Sequence, residues 1–125
     1  MNSAILFYYG DETFLVDEAV QKIKTKHKDY HIETLENDFE CATLIEHTQS
    51  TSLFSTQTLL LIKNPFFFTK KCTPAEEKQL THLFTTHTNT AVTILIYNMG
   101  PVDQRKKMAA LLKKNATCEH FVSFK

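Results

Sequence analysis

The stretch TLLLI, Thr58–Ile62, decides the fold. It is apolar at every position after the threonine, it is short, and Lys63, Asn64 and Pro65 end it. A surface helix shows a polar face, and a half-exposed strand alternates. A short unbroken apolar run is how a strand covered on both sides reads. Strands covered on both sides belong to parallel sheets, whose crossover helices pack on the faces. The chain should therefore hold further strands of this kind, separated by helices.

Downstream, TPAEEKQLTHLF (Thr73–Phe84) opens like a helix: Thr73 is expected as the N-cap, Pro74 at the first helical position and Glu76 as the capping-box partner. Leu80, Leu83 and Phe84 form its apolar stripe. AVTILIY (Ala91–Tyr97) is a second buried strand. A helix is expected over Val102–Lys114, with Met108, Leu111 and Leu112 inward and Lys113 and Lys114 set against the negative end of its dipole. CEHFVSF (Cys118–Phe124) alternates as a final strand. Upstream, Asp38 is a candidate cap for a helix running through Ala42, Leu44 and Ile45 towards Gln49. YHIETL (Tyr30–Leu35) alternates weakly as a strand. Over Glu12–Lys26, Leu15, Val16, Ala19, Val20 and Ile23 recur at helical spacing. AILFYY (Ala4–Tyr9) is the first buried strand. Strand and helix alternate from end to end, so the pattern predicts an α/β fold: one domain over residues 1–125, a parallel sheet with helices on both faces.

Composition bounds the function. The chain has 125 residues, 42% hydrophobic and 22% charged, with zero formal net charge. Bulk electrostatics therefore gives no argument for a nucleic-acid partner. No apolar run is long enough to span a bilayer. The start, MNSAILFYYGDE, lacks the basic lead and the small-residue cleavage site of a signal peptide. Cys41, Cys72 and Cys118 are odd in number and widely spaced, which fits reduced thiols and a cytoplasmic setting rather than a disulfide framework.

In open α/β sheets, ligands bind beyond the carboxyl ends of the strands. Those ends lack nucleotide chemistry here. A phosphate-cradling loop needs a glycine-rich run ending in Gly-Lys-Ser/Thr. The turn after the first strand is YGDETF, with one glycine, no lysine and two carboxylates. After TLLLI, where a magnesium-holding aspartate is expected of a nucleotide hydrolase, the chain gives Lys63 and Asn64. No cofactor is expected. Asp11 and Glu12 are the remaining metal or catalytic candidates, although acids also suit a helix N-terminus. His82 and His87 are misplaced for one helix face, and Cys118 with His120 supplies too few ligands for zinc. The run DQRKKMAALLKK offers Arg105, Lys106, Lys107, Lys113 and Lys114 as a basic helix face. Three readings stay open on these residues: an enzyme using Asp11 and Glu12, a nucleic-acid module using the basic helix, and a non-catalytic interaction module.

Three stretches together resemble the N-terminal domain of the bacterial DNA polymerase III delta subunit, the clamp-opening subunit of the clamp loader. FYYGDETFLVDEAVQKI (Phe7–Ile23) is similar to its opening strand, acidic turn and helix. ILIYNMGPVDQRKKMAALLKK (Ile94–Lys114) is similar to its late strand and basic helix, including Asp103 and Arg105. QSTSLFSTQTLLLIKNP (Gln49–Pro65) is the distinctive one, a Ser-Leu-Phe followed by an apolar strand. The resemblance implies an AAA+-type, P-loop-NTPase-like fold without a functional P-loop and without ATP hydrolysis. It implies that Gln49, Ser52, Leu53 and Phe54 bind the sliding clamp, the beta subunit of DNA polymerase III, with Leu53 and Phe54 as a wedge. Pattern alone favours core for that pair, since apolar residues just before a buried strand are usually core. Their flanks, TQSTS and STQT, read instead as an exposed collar around an anchor. DNA contact is expected to be indirect and no membrane contact is implied. The family's small helical lid and its C-terminal collar, the domain that assembles with other clamp-loader subunits, are not matched by these 125 residues. Phe66, Phe67 and Phe68 either fill local core or cover a junction to a neighbouring domain.

Overall fold

The computed structural model describes residues 5–37, 39–49, 57–68, 72–87, 92–100, 102 and 106–121. Five strands and four α-helices alternate along the chain: β1 (Ile5–Gly10), α1 (Thr13–Lys26), β2 (His31–Glu36), α2 (Cys41–Gln49), β3 (Thr58–Lys63), α3 (Pro74–Thr86), β4 (Val92–Met99), α4 (Lys107–Asn115) and β5 (Thr117–His120). A single 3₁₀ turn, Phe66–Phe68, follows β3. The strands form one sheet in the order β2-β3-β4-β1-β5, and every pairing is parallel. TLLLI lies in the interior of that order. Leu59, Leu60, Leu61 and Ile62 are all fully buried, and each such side chain contributes roughly 1.5–3 kcal/mol against exposure.

Alternate residues serve opposite faces, so the apolar runs split cleanly. Ile5, Phe7, Leu60, Ile62, Ile94 and Ile96 join Leu44 of α2, Leu80 and Phe84 of α3, and Met108 and Leu112 of α4. Tyr8, Leu59, Leu61, Leu95 and Tyr97 join Val16 and Val20 of α1. Helices therefore cover both faces, three on one and α1 on the other. A lone helix meets a sheet along a narrow line. Only Val16 and Val20 of α1 are fully covered, whereas Leu15, expected in the apolar stripe, is 37% exposed and Phe14 is 72% exposed.

The capping box of α3 forms as read: the Glu76 amide donates to Thr73 Oγ1 (3.2 Å) and the Thr73 amide donates to Glu76 Oε1 (2.9 Å). The fourth helix starts later than expected. Lys106 is an extended N-cap, and Val102 lies outside the helix while still buried. Val102 is core contributed by the connection, so its apolar character does not mark the helical stripe. The final strand begins at Thr117, one residue early. Asp38, the expected cap of α2, lies outside the described residues.

Phe66, Phe67 and Phe68 are local core, all under 8% exposed. They belong to a run of rings beneath the strand ends: His120 stacks on Tyr9 (4.5 Å between centroids), Tyr9 on Phe7 (4.6 Å), and Phe7 meets Phe68 (5.2 Å). Phe67 and Phe66 carry the run on to Phe39. The rings link β5 at one edge to the β2–α2 connection at the other.

Candidate functional site

Because all strands are parallel, the molecule has two functionally distinct ends. At the carboxyl ends of the strands, the β1–α1 turn occupies the place where related sheets grip phosphate. Here backbone fills it. Gly10 and Gly100 exchange hydrogen bonds (3.1 and 2.8 Å). Phe121 donates its amide to the Tyr9 carbonyl (2.8 Å), and its own carbonyl accepts from the Glu12 amide (3.3 Å). That amide, at the start of α1, is one an anion would otherwise take. Gly10 adopts φ +150°, and a Cβ there would sit 1.9 Å from the Phe121 oxygen. Asp11 is exposed and Glu12 half-buried. Among the described residues no group of three or more His, Cys, Asp and Glu side chains is placed to hold a metal ion. The phosphate-like turn was legible as chemically bare. The carbonyl that occupies it belongs to backbone and has no signature in the side-chain sequence.

The other potential reactive groups are quiet. Burial, with Glu76 and Cys72 nearby, pushes the Cys41 thiol up to about 11. Burial likewise raises Cys72, reinforced by Glu76 and Glu77, and raises Cys118 against the opposing charge of Lys113. All three stay protonated at neutral pH and are poor nucleophiles. A groove of about 780 Å³ runs along the outside of α3, lined by Cys72, Glu77, Thr81, His82 and Lys107 among others. A second, of about 360 Å³, lies between α1 and β5, lined by Tyr8, Leu15, Ala19, Ile23 and Phe121 with charged neighbours. Neither is lined by Asp11 or Glu12.

The basic helix is split rather than continuous. Lys107 pairs with Glu77 of α3, and Lys106 sits beside it at the carboxyl-end edge. Lys113 and Lys114 occupy the last turn, at the opposite edge. Arg105 and Asp103 lie outside the described residues.

That opposite edge, where strands begin and helices end, holds Gln49 and Gln57, the described residues on either side of the Ser-Leu-Phe segment. Gln49 is the last residue of α2. Ser52, Leu53 and Phe54 lie outside the described residues. The flanks are fixed. Leu44 and Thr48 of α2 are buried, and the Gln57 carbonyl accepts from the His31 amide (2.8 Å), which ties the approach to β3 to the start of β2. Around it, His27 donates through Nδ1 to the Ile23 carbonyl (2.8 Å) and meets Tyr30 edge-on. His87 uses Nε2 on the Val92 carbonyl (2.9 Å).

Residues 6–122 match the family model described as "DNA polymerase III, delta subunit". The chain belongs to the DNA polymerase III delta subunit family. Among solved structures it is similar to the Bacillus subtilis DNA clamp loader delta protein (YqeN), at 19% identity and a TM-score of 0.75. That match covers 98% of this chain and 39% of the Bacillus protein, so the chain spans well under half of that relative's length. No curated protein sequence matches. At that identity the likeness is one of fold, which in this chain is the five-stranded parallel α/β sheet. Among the described residues no helix is long and apolar enough to cross a membrane.

Proposed function

We propose that this delta-family domain is a non-catalytic, cytoplasmic clamp-binding module that docks on the DNA polymerase III sliding clamp and helps open it during replication. Gln49, Ser52, Leu53 and Phe54 are the contact residues, with Leu53 and Phe54 entering an apolar pocket of the clamp. One observation supports this reading: α2 ends at Gln49 and the Gln57 carbonyl accepts from the His31 amide at the start of β2, so residues 50–56 connect two packed elements. Delta-family membership supplies the clamp-loader setting. ATP has no role in this domain, because the Phe121 carbonyl already takes the helix-start amide that a phosphate would use. A collar domain, where the full-length protein has one, joins it to other clamp-loader subunits, and DNA is met through the clamp.

The test is a titration of the sliding clamp from the same organism with the parent chain and with Leu53→Ala/Phe54→Ala. Removing buried interface anchors costs ~2–4 kcal/mol, roughly 30- to 1,000-fold in affinity. Folding should change by no more than about 0.5 kcal/mol, as surface changes do. A double variant that binds clamp like the parent, or whose melting point collapses because the pair is core, defeats the assignment.

A further inference from the structure

We infer that the strand-start edge of this domain carries a cationic rim that fits an acidic protein surface. The inference rests on the clamp-binding reading and specifies the chemistry the partner must show around the anchor pocket. α1 ends in Lys24 and Lys26, and α4 ends in Lys113 and Lys114. Lys28 follows α1 in the turn to β2. Lys24 is half-buried and the other four are exposed, and none of the five is held in an ion pair among the described residues. Asp29 and Glu46 lie at this edge as well, and Lys26 shares the groove between α1 and β5 with Glu18 and Glu119. The connecting segments there, residues 50–57 (STSLFSTQ) and 88–91 (TNTA), contain no charged residue. Five lysines thus gather at one edge of a chain with zero net charge.

A plainer account is that lysines in last turns offset helix dipoles. It covers α1 and α4 but not Lys28, which lies beyond the helix. The partial negative charge of the helix ends, about half a unit each, resides on backbone carbonyls. Lysine stems carry their ammonium groups outward past those carbonyls, so an approaching partner meets the cations first. The arrangement suits a protein better than a nucleic acid. α1 and α4 lie on opposite faces of the sheet, so the lysines flank the edge on two sides instead of forming a stripe that tracks phosphates.

The experiment measures association of the 125-residue chain with the sliding clamp at increasing sodium chloride. It compares the parent with Lys26→Glu/Lys28→Glu and with Lys78→Glu, an exposed α3 lysine away from this edge. Steering by surface charge acts mainly on the association rate and fades once the Debye length falls below about 10 Å. At low salt the double reversal should slow association on the order of tenfold, the difference should shrink at high salt, and Lys78→Glu should match the parent. A parent that binds with no salt dependence, or a double reversal no worse than Lys78→Glu, overturns the acidic-partner inference and leaves the clamp reading standing. A parent that binds no clamp at any salt removes both. Salt-sensitive binding of duplex DNA that the double reversal abolishes, with clamp binding untouched, replaces the inference with a phosphate-binding edge.

Discussion

Gly10 shows how much can depend on one missing methyl group. Its φ of +150° is costly for any other residue, and its missing Cβ leaves the space that the Phe121 carbonyl fills. Gly100, across the same small bridge, has φ +127° but open space around it. The two glycines separate two costs. Gly100→Ala should destabilise by backbone strain alone, on the order of 1–3 kcal/mol. Gly10→Ala should cost that and the displacement of β5's end from α1, a further ~1–3 kcal/mol of overpacking. Urea melts of the two variants check the ranking. Equal losses would mean that the Phe121 contact contributes nothing. The sequence marks Gly10 as a turn glycine, but its closeness to Phe121 joins positions far apart in the chain and has no local signal.

At the scale of elements, the legible features were those with a single local reading. TLLLI and AVTILIY admit little besides buried strands, and Thr73, Pro74 and Glu76 specify a helix start within a few residues. Thr73→Ala should therefore destabilise by about 1 kcal/mol, seen as a lower urea midpoint with unchanged slope. An unchanged midpoint would show that the exposed box adds nothing to the global fold. The illegible features are those that tertiary contact decides. Val102 reads as the start of a helix because a buried connection and a buried helix face use the same residue types. Leu15 reads as core because periodicity does not say how many helices share a face. The Ser-Leu-Phe segment is the same problem in a sharper form. Its place before a buried strand fits core, its polar flanks fit an exposed anchor, and the resemblance tips the reading towards a partner.

For the molecule as a whole, titration of the buried groups runs in one direction. Burial raises Cys41 to about 11 from 9.0, and raises Cys72, Cys118, Tyr8 and Tyr97 as well, the last two helped by Glu119 and by Glu36 with Asp17. A group whose folded value lies above its unfolded one leaves the folded state holding more protons. Its stabilisation is complete below the unfolded value and is lost as pH rises through the folded one. Stability should therefore fall between about pH 9 and pH 11, a window set by Cys41. Melting temperatures across that range should drop for the parent and drop less for Cys41→Ala. Identical slopes would exclude Cys41 as a contributor.

The Phe121 carbonyl also bears on ancestry. Were this sheet descended from one that gripped a nucleotide, restoring a lysine and a hydroxyl residue to the β1–α1 turn would not recover the grip. The last strand would first have to withdraw from the start of α1 and give up its bonds to Tyr9 and Glu12. Each reverting side chain would arrive before there was a vacancy for it to serve, so selection would have no gradient to follow. Such a loss is a ratchet: the lineage is free to elaborate the opposite end and has no short route back.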